Sequence, residues 1–328
     1  MCVALVAGAG AASVLGCKPD LGAPPSLILG AQLLDIQATP AEAKPGAEIM
    51  LDTLLVDPTG TLAAPVTWTT CRTPKPPAES NAISRACVDQ PDDGPAALGR
   101  VRASLPLDAC SLFGPLTPPA APGQPAVRPR DPDPTGGFYQ PIRAAVRGLP
   151  GAAGDLVGFA LVRVSCLLAN APTEIARAFN DPDTGYHANA APILASVTMT
   201  DAAGLTAELP RAGDAAPAPV VHAGEAISFR VSWPAEAAET FRVFDLATYA
   251  LIEAHESLRV SWFTTAGTFD HDRTGRASDE TELFSDNTWN APADAPTVSD
   301  GKVIHFWVVL RDSRGGSASA AFDLDVAP

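Results

Sequence analysis

The chain has 328 residues, long enough for two ordinary domains, and carries 37 acidic against 22 basic residues for a formal net charge of −15. That imbalance excludes nucleic acid as a partner, since its phosphates would be repelled, and no basic patch or aromatic-interleaved basic run reverses it. With aromatic residues at 6%, any core must rest on Val, Leu, Ile and Ala around a few tryptophans.

In chain order the first segment is apolar. Met1 to Gly16 contains no charged residue. The run is shorter than the roughly 20 apolar residues a bilayer-spanning helix needs, and it suits the core of a secretory signal with a small residue at the cut. A buried first strand or helix of a cytosolic protein is the competing reading. Past Cys17, Pro19, Pro24 and Pro25 mark a tether rather than a continuing helix. The run Val14-Leu15-Gly16-Cys17 resembles a bacterial lipobox, with an aliphatic residue opening it, a small residue before the cut, and a cysteine whose thiol takes the lipid. The resemblance implies that residues 1–16 are a signal peptide, that Cys17 is the lipidated first residue of the mature protein, and that residues 17–27 are its tether. It further implies a membrane partner through Cys17 and a place in the cell envelope, on the outer membrane rather than the inner. The basic residue such signals carry ahead of the apolar run is missing, which suggests a start upstream of Met1.

Cys2 and Cys17 belong to this signal region, and the other four cysteines are Cys71, Cys87, Cys110 and Cys166. An even number in an exported domain reads as disulfides, with three possible pairings. The preferred one is Cys71–Cys87, closing a Pro-rich local loop, with Cys110–Cys166 tying a long insertion to a strand. Zinc is disfavoured, because there is no CxxC pair and no histidine lies among these cysteines.

The remainder reads as short alternating runs punctuated by turns, the pattern of all-β sandwiches. "LILGAQLLDIQATP" (27–40), "KPGAEIMLDTLLVDP" (44–58) and "APVTWTTC" (64–71) are mirrored by "APILASVTMTD" (191–201), "HAGEAISFRVSW" (222–233) and "ESLRVSWFTTAGTF" (256–269). The order recurs: first strand, Gly-centred turn, second strand, then a strand carrying Val-x-Trp, an internal duplication weak in identity. Trp68 and Trp262 occupy matching places, where core packing between two sheets is expected. "TFRVFDLATYALIEA" (240–254) predicts a hairpin turning at 245–248, and "KVIHFWVVLRDSRGGSASAAFDLDV" (302–326) a final hairpin turning at 312–316. "NTWNAPAD" (287–294) suits an edge strand ended by proline. The proline-dense stretch 116–137 cannot donate a sheet ladder and reads as a long insertion. "TEIARAF" (173–179) predicts a short helix capped by Thr173. The fold class expected is therefore all-β: two immunoglobulin-like β-sandwich modules in tandem over 28–170 and 188–328, joined by a linker at 171–187, with the second expected to fold alone.

The lipobox, "ATPAEAKPGAEIMLDTLLVDP", "PVTWTTC" and "VSWFTTAGTF" together resemble bacterial surface lipoproteins, myxobacterial ones in particular, with tandem immunoglobulin-like or PKD-like domains. The resemblance implies spacer or binding modules and carries over no catalytic residue.

Tests for enzyme chemistry return little. The sequence contains no GxSxG elbow, no HExxH and no phosphate- or dinucleotide-binding glycine loop, and the five histidines at 187, 222, 255, 271 and 305 are scattered. No enzyme activity and no cofactor are expected. Three Asp-x-Asp runs lead into glycine: Asp131 with Asp133, Asp181 with Asp183, and Asp270 with Asp272. Alternating oxygens before a glycine suit a calcium loop, but these runs lack a distal bidentate glutamate, and Asp, Pro, Thr and Gly also compose ordinary turns. The turn is the preferred reading. The expected function is a lipid-anchored structural or protein-interaction unit of the envelope, partnered by another envelope protein. Its alternative is a ligand-binding lipoprotein for a glycan or another substrate.

Overall fold

The computed structural model describes residues 22–74, 83–94, 96–114, 137–150, 154–166, 171–245, 247–294 and 303–328, with the single positions 152 and 168. Cys17, Asp131 and Asp133 lie outside the described residues.

The first module contains β1 (Gln32–Thr39), β2 (Glu42–Ala43), β3 (Glu48–Asp57), β4 (Gly60–Thr61) and β5 (Val66–Thr70). It continues with α1 (Arg85–Val88), β6 (Ala96–Ala97), β7 (Val101–Ser104), α2 (Ala109–Leu112), β8 (Gly137–Val146) and β9 (Leu156–Ser165). One sheet joins β1, β3 and β4, with β7 also on β3; the other runs β2-β9-β8-β5-β6. Ile49, Leu51 and Leu55 from the first sheet meet Trp68, Phe138, Ile142 and Val162 from the second in one core. Disulfides join Cys71 to Cys87 and Cys110 to Cys166.

After α3 (Thr173–Phe179) the second module begins with β10 (Ser196–Thr200), β11 (Thr206–Glu208), β12 (Val220–His222) and β13 (Ala226–Ser232). The hairpin β14 (Thr240–Asp245) and β15 (Ala250–His255) forms its own two-stranded sheet. Then come β16 (Leu258–Thr264), β17 (Thr268–Phe269), β18 (Arg273–Arg276), β19 (Phe284–Asn290), β20 (Val303–Asp312) and β21 (Ser317–Ala327). The sheets are β11-β10-β13-β19-β17 and β12-β21-β20-β16-β18. Both modules repeat one device: a short strand pairs in parallel with the module's last strand, β2 on β9 and β12 on β21, while every other ladder is antiparallel. Trp68 on β5 and Trp262 on β16 face their respective cores. The chain is an all-β tandem of two immunoglobulin-like sandwiches, the expected fold.

Side-chain alternation explains most strands. β13 and β21 bury every second residue, as strands covered on one face do. β20 departs from this: Phe306, Trp307, Val308, Val309 and Leu310 are all buried in succession. A continuous apolar run means both faces are covered. One face is the module's own core. Over the other, Trp307 forms a separate cluster with Ile28 and Val56, flanked by Leu34, Leu54, Phe263 and Ala321. Its indole N–H donates to Thr61 Oγ1 at 2.9 Å, and Gln37 Nε2 donates to Ser319 Oγ at 2.9 Å. Arg311 donates to the Leu34 carbonyl at 2.8 Å and to Asp35 at 2.9 Å. The two modules therefore share an apolar seam, and module two cut at 188 would expose Trp307 and its neighbours.

Three local expectations are also corrected. Ser26 and Leu27, assigned to the tether, are built into the fold: Thr264 N–H donates to the Ser26 carbonyl at 2.8 Å and Ile28 N–H to the Thr264 carbonyl at 2.9 Å. β19 is not an edge strand. It lies between β13 and β17 with Trp289 fully buried, because Pro292 ends the strand along its length rather than exposing its side. Thr173 does not cap α3. It is the first helical residue, preceded by Pro172, and no side-chain cap bond forms.

Candidate functional site

Among the described residues, the largest concentration of buried charge lies where the linker and the second module's β20–β21 turn meet the first module. Three strands of module one supply one half of it. Parallel pairing sets Glu42 of β2 beside Arg163 of β9, and antiparallel pairing sets Arg163 beside Tyr139 of β8, so all three residues share a face. Arg163 donates from Nε to Glu42 Oε2 at 3.1 Å and from Nη1 to the Tyr139 hydroxyl at 3.0 Å. Glu42 also accepts from Ser165 Oγ at 2.8 Å, the Tyr186 hydroxyl at 2.6 Å and the Asn189 backbone N–H at 3.0 Å.

Arg314 supplies the other half from the 312–316 turn. Its guanidinium donates to Glu256 at 2.6 Å, Glu239 at 2.6 Å, the His187 carbonyl at 3.0 Å and the Tyr186 hydroxyl at 3.2 Å. It also stacks over the Phe241 ring at 4.4 Å from the centroid. Asp312 organises the turn by accepting from the backbone N–H groups of Arg314 and Gly316, each at 2.8 Å, and from Asn189 Nδ2 at 3.1 Å. Gly315 has a φ of +101°, a conformation that side-chain-bearing residues rarely adopt, and a Cβ there would lie 3.3 Å from the Tyr139 ring. Glycine suits this turn because its backbone tolerates the positive φ. The Tyr186 hydroxyl links the two halves, bonded to Glu42, Arg163 and Arg314.

Glu42, Glu239, Glu256 and Asp312 face two guanidiniums here, so this joint holds more acid than base. Burial, reinforced by the Asp312 charge, pushes the Glu256 carboxyl up to about 7, and burial raises Asp312 as well. A group raised in the folded state contributes stability that is complete below its unfolded value and is lost as pH rises through the folded one. The protein is accordingly expected to be less stable at pH 8 than at pH 5.5, with Glu256 alone accounting for roughly 2 kcal/mol. Urea titrations at the two pH values check this, and Glu256→Gln should remove most of the difference. A parent midpoint unchanged between pH 5.5 and 8 contradicts it.

Beside this joint lies a cleft of about 520 Å³ lined by Lys44, Ser165, Phe179, Asp181 and Tyr186 and by the Cys110–Cys166 disulfide. Phe179 and Tyr186 stack at 4.9 Å between centroids. A second cleft of about 430 Å³ has Trp233, Glu256 and residues 276–283 on its walls.

The residues singled out from the sequence do not converge here. Asp181 Oδ1 is consumed by its own turn, accepting from the Thr184 hydroxyl and the backbone N–H groups of Asp183 and Thr184, and these bonds hold its pKa below the usual value. Asp270 accepts from Asn290 Nδ2 at 2.9 Å, while the carbonyl of Asp272 accepts from the Trp262 backbone N–H. Asp183 is exposed on the Asp181 turn. Among the described residues, no group of three or more His, Cys, Asp or Glu side chains is placed to hold a metal ion. The Asp181 run forms a turn, and Asp270 and Asp272 lie at bends leading into β18. His305 pairs with Asp323 at 2.7 Å, and His187 contributes only its carbonyl to Arg314. Sequence reasoning missed the joint's charged residues, and the one local signal was Arg163, a lone charge inside the apolar strand "FALVRVSC".

Neither a family model nor a curated protein matches the chain. Among solved structures, the D0-D1 domain of intimin is similar at 10% identity and a TM-score of 0.21, over 89% of this chain and 98% of that one. The sialic acid binding region of a Streptococcus sanguinis SK1 adhesin, bound to 3'sLn, is similar at 14% identity and a TM-score of 0.19, over 91% of this chain and 78% of that one. At such scores neither likeness bears on function.

Proposed function

We propose that this protein is a lipid-anchored, non-enzymatic component of the cell envelope that works as a rigid two-module structural or protein-interaction unit. The observation that carries the reading is the joint: Arg163 and Arg314, both almost fully buried, tie the modules together through the shared Tyr186 hydroxyl. Independent beads on a flexible tether would not bury charge between them, whereas a unit that holds a fixed shape against a partner gains from doing so. The anchor rests on Val14-Leu15-Gly16-Cys17, and the two or three acyl chains of a bacterial lipoprotein hold far more firmly than one. Cys17→Ser is expected to abolish lipidation and to release the protein from the membrane fraction or leave it as uncleaved precursor. Mass spectrometry of the native protein checks the parent, and an unmodified Cys17 overturns the anchoring.

A second reading is favoured by the cleft at Lys44, Phe179 and Tyr186, where an exposed ammonium and a partly exposed tyrosine ring, stacked on the buried Phe179, offer the two contacts a sugar uses. On that reading the protein binds a glycan or another envelope ligand. Screening the purified soluble protein against cell-wall glycans separates the two, since a structural unit retains none of them.

A further inference from the structure

The chain's first described residues do not lead into the module they precede. The Leu27 N–H donates to the Pro24 carbonyl at 2.9 Å, closing a turn, and Leu27 then bridges in parallel to Thr264 of the second module. Ser26 and Ile28 are buried there, Ile28 against Trp307 and Val56. Only after this contact does the chain enter β1 of module one. The anchor-side segment is thus fastened to module two at one particular end.

Strand registers say which end that is. Thr264 pairs with Phe306, and Phe306 with Phe322; from there β21 runs on past Asp325 to the C-terminal Pro328, beside His222. At the opposite end Leu258 pairs with Asp312 and with Arg276, next to the 312–316 turn, Glu256 and the 276–283 loop. The six residue steps from Thr264 to Leu258 separate the ends by about 20 Å. The turn at Pro24–Leu27 reverses the chain, so Gly22 and Ala23 enter it from the Thr264 side. From Cys17 to Pro24 the backbone spans at most about 25 Å when fully extended. An inverted stance would use nearly all of that reach alongside the module, at a large cost in chain entropy.

We propose that this strap orients the tandem on the bilayer: the end carrying Thr264 and the C-terminus lies toward the lipid surface, and the end carrying the buried joint and both clefts is presented away from it. The orientation rests on the lipidation of Cys17 proposed above. It assigns the 312–316 turn, the 276–283 loop and the Lys44 cleft to the partner-facing side.

Energy transfer from a donor dye to acceptor-labelled lipid headgroups tests it, using the full lipidated protein in phosphatidylcholine vesicles. Pro328→Cys and Ser278→Cys place single dyes at exposed positions on the two ends, where labelling does not disturb the core. Transfer from position 328 is expected to exceed that from 278 by roughly twofold or more, given an end-to-end separation of about 20 Å. A ten-residue Gly/Ser insertion after Asp20 should lengthen the leash and bring the two values together. Equal or reversed values in protein whose Cys17 lipid is verified by mass spectrometry overturn the orientation. An unmodified Cys17 overturns the anchoring itself, and the two failures are told apart by that mass.

Discussion

Replacing Arg314 with methionine is expected to destabilise the protein by about 3–5 kcal/mol, the cost of removing one partner from a buried ion pair. The guanidinium is almost wholly buried and bonded at 2.6 Å to both Glu256 and Glu239, so its loss strands two carboxylates beside Asp312. Methionine fills similar volume, which separates loss of charge from loss of packing. Arg314→Lys should recover only part of the deficit, since one ammonium cannot reach four acceptors spread around a planar fork. The penalty should be larger at pH 8 than at pH 5.5, because at the lower pH Glu256 takes up a proton and needs its partner less. Unfolding followed by tryptophan emission should change from one transition toward two as the modules lose their mutual support. A single transition at the parent midpoint would show that the joint contributes nothing to stability.

Trp262→Ala is expected to cost a similar amount, about 3–5 kcal/mol, through a different route. Trp262 is fully buried in the second core, with ring centroids 5.5 Å from Phe269 and 6.4 Å from Phe229. Its indole N–H donates to Thr274 Oγ1 at 2.9 Å, a bond that Trp262→Phe would lose while keeping most of the packing. The alanine variant should therefore fall well below the phenylalanine variant, and its near-UV circular dichroism should show a loosened aromatic cluster. Because this defect sits inside one sandwich, its cost should vary little between pH 5.5 and 8, in contrast to Arg314→Met. Parent-like melting of Trp262→Ala would contradict the packing role.

Much of the architecture was legible because it follows from local patterns. Alternation in "AISFRVS" and the long final strand marks faces turned to a core, and turn residues divide the strands. The repeated Val-x-Trp strand marked the duplication, and both tryptophans face inward. Four cysteines in the first half indicated two disulfides, which the structure contains. Where reading by local signals failed, the reason was also local. "NTWNAPAD" carries a proline that ends β19 but says nothing about which strands flank it. "PPSL" around Pro24 looks like tether because nothing in those residues reports that Thr264 has a free backbone N–H and C=O waiting.

The candidate site belongs to the second kind of information. Glu42 and Asn189 are 147 positions apart, and Tyr186 and Arg314 are 128 apart. Each looks like an ordinary surface or turn residue in its own neighbourhood, and Arg314 sits in a run, "DSRGG", that any hairpin would use. What the amino-acid sequence determined by itself was secondary structure, fold class and the apolar faces, because hydrophobic periodicity and turn chemistry act within a few residues. What only the tertiary structure decided was how the two sandwiches meet. Burying a guanidinium is tolerable only where several acceptors converge on it, and that convergence is a property of packed sheets rather than of any one segment.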